Sequence, residues 1–508
     1  MSETRTDALI SGAGPNGLLL AAELALAGVR PIVLETGPGP GTQPKANGIV
    51  GQVPRLLDLR GLYPGVPQPL PFYIFSGLPM DFGNLADNPM YAWPIPQPEL
   101  TALLAEHARK LGADIRWQHT LTEFAQDAEE VTATVSGPYG QQRFTARYLV
   151  GADGGKSLVR KRSGIDFPGF TAPDRVSRVA HAEVPGLVRT ESGYLLPGYG
   201  PLAWGHNWTE RGMVIIAELQ PGRTMVGTVE DGQGPLDEDA PLTLDEMSES
   251  LRRVVGVDVP LAEPSWPGPH QRRRSVGQNT RTAERYRDGR VFLVGDAAHV
   301  HSAMGGPGLN LGMQDVMNLA WKLAARVRGD VSDEILDTYD SERRPLAERV
   351  MLSSTAQSAL MAPNPEVGGL RQLFGELLRI PAVVDHLAHL MSGADVRYDT
   401  GCDHPLAGLL VPDFTVTTPD GPDRIATLLR SGRPLLLTRD PHLADEIIGW
   451  SDRVDTRTAA EAPAAALLIR PDGYIAWATD DSSTAGLPEA LTRWFGPARS
   501  LSAPRPGV

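Results

Sequence analysis

Asp7-Ala8-Leu9-Ile10-Ser11-Gly12-Ala13-Gly14-Pro15-Asn16-Gly17-Leu18 decides how this chain folds. A short apolar run passes without a break into glycines, as when a buried strand enters a phosphate-binding turn. Gly12 permits the tight turn, and Gly14 leaves the backbone bare for a pyrophosphate to approach. Gly17 lets a helix lie close to the strand, and the helix start at Pro15 and Asn16 offers free N–H groups to the phosphates. Leu18 to Ala27 (LLLAAELALA) is rich in helix formers and stops at Gly28. Pro31-Ile32-Val33-Leu34 reads as a second buried strand that ends at Glu35, 23 residues beyond Gly12. An acidic side chain at such a strand end can hold ribose hydroxyls. Strand, glycine turn, helix and strand form a βαβ unit that implies a bound dinucleotide without saying which one.

With 508 residues, 41% hydrophobic and 21% charged, the chain is long enough for two or three domains with sizeable cores. A net charge of −14 argues against a nucleic-acid partner, because phosphate backbones are bound through basic surface. The sequence has no Lys/Arg run to anchor it at a membrane and no stretch of roughly 18 apolar residues to span one. Its polar start is not a signal peptide, and one cysteine, Cys402, excludes an internal disulfide. A cytoplasmic protein is expected. His299-Val300-His301 lacks the further ligands that a metal site needs, so no metal is expected. His301 reads equally as core packing or as a wall facing a substrate.

Downstream, the pattern predicts a helix near 53–61, loops and strands over the aromatic- and proline-rich 65–96, and an amphipathic helix from Leu100 to Leu111. Alternating segments over 115–150 suggest a hairpin feeding a strand. Short β segments separated by Gly and Pro fill 176–271, such as Met213-Val214-Ile215-Ile216-Ala217. Long helical patterns follow at about 308–328 and 333–361, with more helix to about Met391. Beyond 398 the composition changes to a separate α/β module, with strands expected at 411–414, 434–437 and 465–469. The expected fold is α/β: a Rossmann-like domain from 1–175 and 272–330, and an inserted mixed β-sheet substrate domain of 176–271 to which 73–96 contributes. A helical linker of 331–397 and a terminal domain of 398–508 complete it.

Two further motifs narrow the cofactor. Tyr148-Leu149-Val150-Gly151-Ala152-Asp153-Gly154-Gly155 places an Asp-Gly turn after a strand. Val291-Phe292-Leu293-Val294-Gly295-Asp296-Ala297-Ala298-His299 runs on to Gly305-Gly306-Pro307-Gly308-Leu309-Asn310 and to Leu311-Gly312-Met313-Gln314-Asp315. In this order and spacing, the three motifs resemble the FAD-dependent aromatic hydroxylases of the group A flavoproteins, related to para-hydroxybenzoate hydroxylase. The likeness covers nearly the whole chain and is greatest to the branch that tailors aromatic polyketides and modifies rifampicin.

The resemblance implies FAD, with its pyrophosphate on the loop of Gly12, Gly14, Pro15, Asn16 and Gly17 and its ribose at Glu35. Thr36 and Lys45 would flank the cofactor, Gln97 would contact the ribityl or phosphate region, and Leu121 would meet the adenine through its backbone. Asp296 would accept from the ribityl chain. The 305–310 loop would offer Leu309 and Asn310 N–H groups to the flavin, and the helix beginning near Pro307 and Gly308 would favour its anionic reduced form. Asp153 would serve both FAD and NADPH, although an Asp-Gly turn can equally act as a cap. No second dinucleotide fingerprint is present, so NADPH or NADH would bind without a Rossmann domain of its own. The chain departs from the family at Lys45 and Gln52, where Arg is usual. It departs again at Ser302-Ala303 in place of Pro-Pro, and at Pro307, where Gln is common.

The implied activity is a monooxygenase that uses O2 and NAD(P)H and inserts one oxygen atom, by way of a flavin C4a-(hydro)peroxide, into an aromatic polyketide or similar small molecule. Ring hydroxylation leads; Baeyer–Villiger oxidation or epoxidation, and FAD binding without oxygenase turnover, are the alternatives. No catalytic side chain can be named from the sequence. The terminal module resembles the thioredoxin-like domain of this branch through His404-Pro405-Leu406-Ala407-Gly408 and Arg470-Pro471-Asp472-Gly473-Tyr474. With a single cysteine it cannot run dithiol chemistry, so a structural role is expected. The family also suggests a homodimer.

Overall fold

The apolar run before the glycines forms strand β1 (Glu3–Ser11) in the computed structural model, which describes residues 3–42, 45–233, 236–237, 240–268, 270–302, 304–418 and 421–499. Helix α1 (Pro15–Leu26) follows, and strand β2 (Pro31–Glu35) returns parallel to β1. Ala8, Leu9 and Ile10 are wholly buried, so both faces of the strand are covered and it reads as a continuous apolar run. The main sheet orders Arg287–Asp288, Val291–Leu293, Gly140–Gly151, β1, β2 and Asp114–Trp117 side by side. The hairpin strands Thr120–Gln126 and Val131–Gly137 extend from the 140–151 strand. Helix α1 packs between the helices Gln97–Lys110 and Pro307–Val327.

A second sheet of six antiparallel strands stands beside the first, in the order 205–209, 212–220, 223–230, 169–181, 272–282 and 299–300. It extends past 176–271 at both ends. The bridge Arg281↔Val300 ties it to the segment just after Asp296. The aromatic-rich stretch forms the short strands Phe72–Phe75, Leu78–Asp81 and Tyr91–Trp93, the first two of which pack on the helices after 337. Those helices span Asp337–Leu360, Pro365–Leu377 and Pro381–Ser392.

The terminal unit holds a four-stranded sheet in the order Asp455–Thr458, Leu435–Thr438, Ala466–Ile469 and Ile475–Thr479. The strand expected at 411–414 is absent; the strand is Thr415–Thr418 instead. Val411 donates to Gly473 and accepts from Arg55, and Pro412 has no N–H to offer a ladder, so the segment is pinned as irregular chain.

This unit docks through charges that are almost completely buried. Arg470 forms a double hydrogen bond with Glu342 at 2.7 and 3.0 Å, and Lys322 reaches the same carboxylate at 2.7 Å. Arg470 also bonds Asp472, whose carboxylate accepts from Trp321 Nε1. Arg60, paired with Glu23 inside α1, donates to the Leu429 and Pro471 carbonyls. Burial alone would raise the Glu342 carboxyl, but Arg470 and Lys322 outweigh it and hold it well below the ordinary carboxylate range.

Two outcomes follow from this docking. Glu342→Gln leaves Arg470 and Lys322 short of a counter-charge in a dry interface and should cost about 3–5 kcal/mol in denaturant unfolding. A folded-state pKa below the unfolded one means that Glu342 contributes fully above its unfolded value and loses that contribution as pH falls towards the folded value. Stability measured against pH should therefore decline below about pH 4.5, with a shallower decline in Glu342→Gln.

Candidate active site

Three loops meet at the carboxyl ends of three neighbouring parallel strands: β1, 140–151 and 291–293. Such a crevice is where open α/β sheets bind ligands. Gly12 turns the chain with φ +108°, and a Cβ there would lie 2.4 Å from the Ala152 carbonyl oxygen. At Gly17 a Cβ would meet the Gly12 carbonyl oxygen at 2.0 Å, so this glycine serves packing. At Gly14 a Cβ would find nothing within 4 Å: this position faces open space.

Asn16 has a role that the loop pattern did not reveal. Its Nδ2 sits 2.1 Å from where a Gly295 Cβ would be and 2.2 Å from where a Gly312 Cβ would be. One amide thus fills the space between the phosphate loop and the two halves of the 291–315 motif, which forces glycine at both partners. Asp315 completes the lock. Its buried carboxylate accepts from Gly295 N at 3.2 Å, meets His299 Nε2 at 2.7 Å and accepts from Arg343 Nε at 2.9 Å. Burial opposes its ionisation, but His299 and Arg343 prevail and hold the carboxyl below its ordinary value.

The loops open onto a cavity of about 1740 Å³. Its wall includes Gly12, Gly14, Pro15, Asn16, Glu35, Thr36, Lys45, Gln97, Leu121, Asp153, Asp296, Gly308 and Leu309. Gly17, Pro307 and Asn310 do not reach it. Asn310 is buried, accepting from Val50 N at 2.8 Å and donating to Gly306 O at 2.7 Å, and so fixes the helix start against the 49–51 strand. Glu35 accepts from Ala13 N at 2.9 Å and Gly37 N at 2.8 Å, which shapes the loop and leaves further lone pairs for hydroxyls. Asp153 lines the cavity but is committed to its own turn: it accepts from Ser157 Oγ, Leu158 N and Val159 N at the start of the helix Leu158–Arg162. Asp296 is exposed to the cavity, with no hydrogen bond from the described residues.

Gln52, one of the departures, points away from the cavity. Buried, it donates to Pro89 O at 2.7 Å and accepts from Arg55 at 2.9 Å. Ala303, half of the Ser302-Ala303 departure, lies outside the described residues; Ser302 lines the wall.

The far wall is the second sheet. Met213, Ile215 and Val229 of that sheet, with Tyr73 and Ile74 of the 72–75 strand and Met361 after the 337–360 helix, make it largely apolar. Burial pushes the Tyr73 hydroxyl up to about 12 and pulls the His206 imidazole down to about 4, so both face the cavity uncharged. Arg175 is paired with Asp231 at 2.8 Å, whereas Arg273 is exposed. The sequence reading singled out none of these as site residues, because they come from strands far apart in the chain, each with an ordinary alternating pattern.

The arrangement suits a dinucleotide. Bare backbone faces the pyrophosphate position at Gly14, carboxylates stand at Glu35 and Asp296, and a 21-residue helix begins at the cavity with no acidic residue in its first turn. A family model described as FAD binding domain matches residues 5–354, and one described as aromatic-ring hydroxylase, C-terminal, matches 404–498. The chain is 41% identical to a 12-dehydrotetracycline 5-monooxygenase/anhydrotetracycline 6-monooxygenase of Streptomyces rimosus subsp. rimosus, over 97% of this chain and 99% of the relative. It is 36% identical to the rifampicin monooxygenase of Streptomyces venezuelae, over 97% and 99%. Among solved structures it superposes with TM-score 0.80 on a Diels-Alderase from pyrroindomycin biosynthesis, 31% identical, covering 97% of this chain and 100% of that one. With the cradle, the helix start and matches running through both ends of the chain, this protein belongs to the FAD-dependent aromatic-ring hydroxylase family.

Proposed function

We propose that this chain is an NAD(P)H-dependent monooxygenase that hydroxylates a ring of a large polycyclic aromatic substrate of the polyketide kind. The cavity carries this reading. At about 1740 Å³ it exceeds the roughly 300–1,000 Å³ of a site for one small molecule. It runs without interruption from the phosphate loop to the apolar sheet face, so cofactor and extended substrate share one enclosure. Bound there, FAD reduced by a nicotinamide supplies the chemistry that divides O2 between the substrate and water.

The chain's own residues bind, orient and exclude water. Gly14 admits the pyrophosphate, Glu35 holds the ribose and Asp296 accepts from the ribityl chain. The N-terminus of the 307–327 helix favours negative charge beside Gly308 and Leu309. Met213, Ile215, Val229 and Met361 offer a planar substrate a dry wall, against which a reactive oxygen species is shielded from water. No nucleophile is needed, and the neutral Tyr73 and His206 supply hydrogen bonding without charge. The Diels-Alderase relative favours one second reading, FAD binding without oxygen transfer.

Purified protein incubated with FAD, NADPH, labelled O2 and a panel of polycyclic phenols separates these readings. Labelled oxygen in a ring hydroxyl supports the proposal, and label in a ring-expanded ester would replace hydroxylation by Baeyer–Villiger oxidation. An unlabelled rearranged product, or NADPH consumption with peroxide alone, overturns it.

The glycines offer a separate check on the cofactor. Gly14→Ala should melt like the parent without FAD yet bind FAD about tenfold or more weakly. Gly17→Ala should instead lose about 1–3 kcal/mol of stability with or without cofactor, because its Cβ meets backbone. Thermal melts and fluorescence titration of the apoprotein measure both.

A further inference from the structure

His301 ends the short bridge from the second sheet to the helix that opens at the cavity. Its Nδ1 lies 2.8 Å from the carbonyl oxygen of Ser302. A carbonyl only accepts, so Nδ1 carries the proton and donates. Burial keeps the ring neutral by pulling it down to about 4, an effect that the Ser302 bond and Asp296 offset only in part. A neutral imidazole with hydrogen on Nδ1 has only a lone pair at Nε2. That nitrogen is buried and has no partner, yet the ring lines the cavity. His299, stacked at 6.4 Å between centroids, directs its Nε2 to Asp315 and cannot help. Gly308 lies alongside: a Cβ there would be 3.7 Å from His301 Nε2, so the unpaired lone pair sits beside the start of the long helix.

We propose that Nε2 of His301 accepts a hydrogen bond from a hydroxyl group of the bound ligand, and that His301 is a positioning residue selecting a hydroxylated edge. An ether or carbonyl at the same place would leave the lone pair unsatisfied and be disfavoured. The hydroxyl comes from the substrate, on the reading of a polycyclic phenol given above, or from the ribityl chain of FAD.

The test uses the full chain and its His301→Phe and His301→Gln variants, Gln keeping an acceptor oxygen. FAD affinity is read by titrating apoprotein. Affinity for a hydroxyanthraquinone and for its methyl ether is read from the perturbed flavin spectrum of the loaded protein. The wild type should prefer the hydroxyl compound over the ether by roughly three- to tenfold. Phe should abolish that preference and Gln retain it, with FAD affinity equal in all three. If the ribityl chain is the donor, Phe weakens FAD by a similar factor, Gln restores it, and the relative affinity for hydroxyl compound and ether is the same in all three proteins. A folded Phe variant that changes neither affinity overturns the inference, as does a wild type blind to the methyl group whose FAD affinity is indifferent to the variant. Should the wild type bind neither compound, the polycyclic-phenol reading fails while the FAD arm still decides the role of His301. Should Phe fail to fold, His301→Leu takes its place in both arms, and the same outcomes decide.

Discussion

A carboxylate without access to water needs donors on every side, and Asp315 finds them in Gly295, His299 and Arg343. Each partner belongs to a different part of the chain. Gly295 is the turn after a central strand, His299 starts the bridge to the second sheet, and Arg343 stands on the next long helix, where it also holds the Leu311 carbonyl and the Tyr398 hydroxyl. The charge in the middle of the 307–327 helix therefore fixes where that helix begins, and it begins at the cavity. Substituting an apolar residue of the same shape could pack as well, yet it would not dictate the same geometry.

The same helix carries the second anchor further along. Lys322 and Trp321 face Glu342, Arg470 and Asp472, so the terminal unit is docked against the helix that faces the cavity at its other end. Among the described residues none beyond 398 lines the cavity, and this docking ties the terminal unit to the helix that does. The cofactor end of the molecule is accordingly built from paired buried charges and close-packed glycines. The opposite wall carries methionine, isoleucine and valine of an antiparallel sheet.

Much of this was legible beforehand. The βαβ unit at 7–35 announced itself because a parallel strand buried on both faces must be apolar and a phosphate turn must be glycine. The helices at 97–110, 307–327 and 337–360 followed from their periodicity. The strand expected at 411–414 failed because its backbone partners lie at Gly473 and Arg55, which no local pattern encodes. Asn16 was legible as a loop residue, whereas its place between Gly295 and Gly312 was not. Gln52 stood out as a departure from the family, and only its burial against Pro89 and Arg55 removed it from the site.

By itself the sequence determined the class of ligand and the order of the motifs that hold it, since steric demands on glycine and the need for a carboxylate at a strand end are local. The shape and polarity of the substrate wall were decided only in three dimensions. That wall is assembled from single residues of strands that include pairs about a hundred positions apart, such as 169–181 with 272–282. His301 falls between the two cases: its chemistry is written in one letter, but which of its nitrogens is open depends on where the Ser302 carbonyl comes to rest.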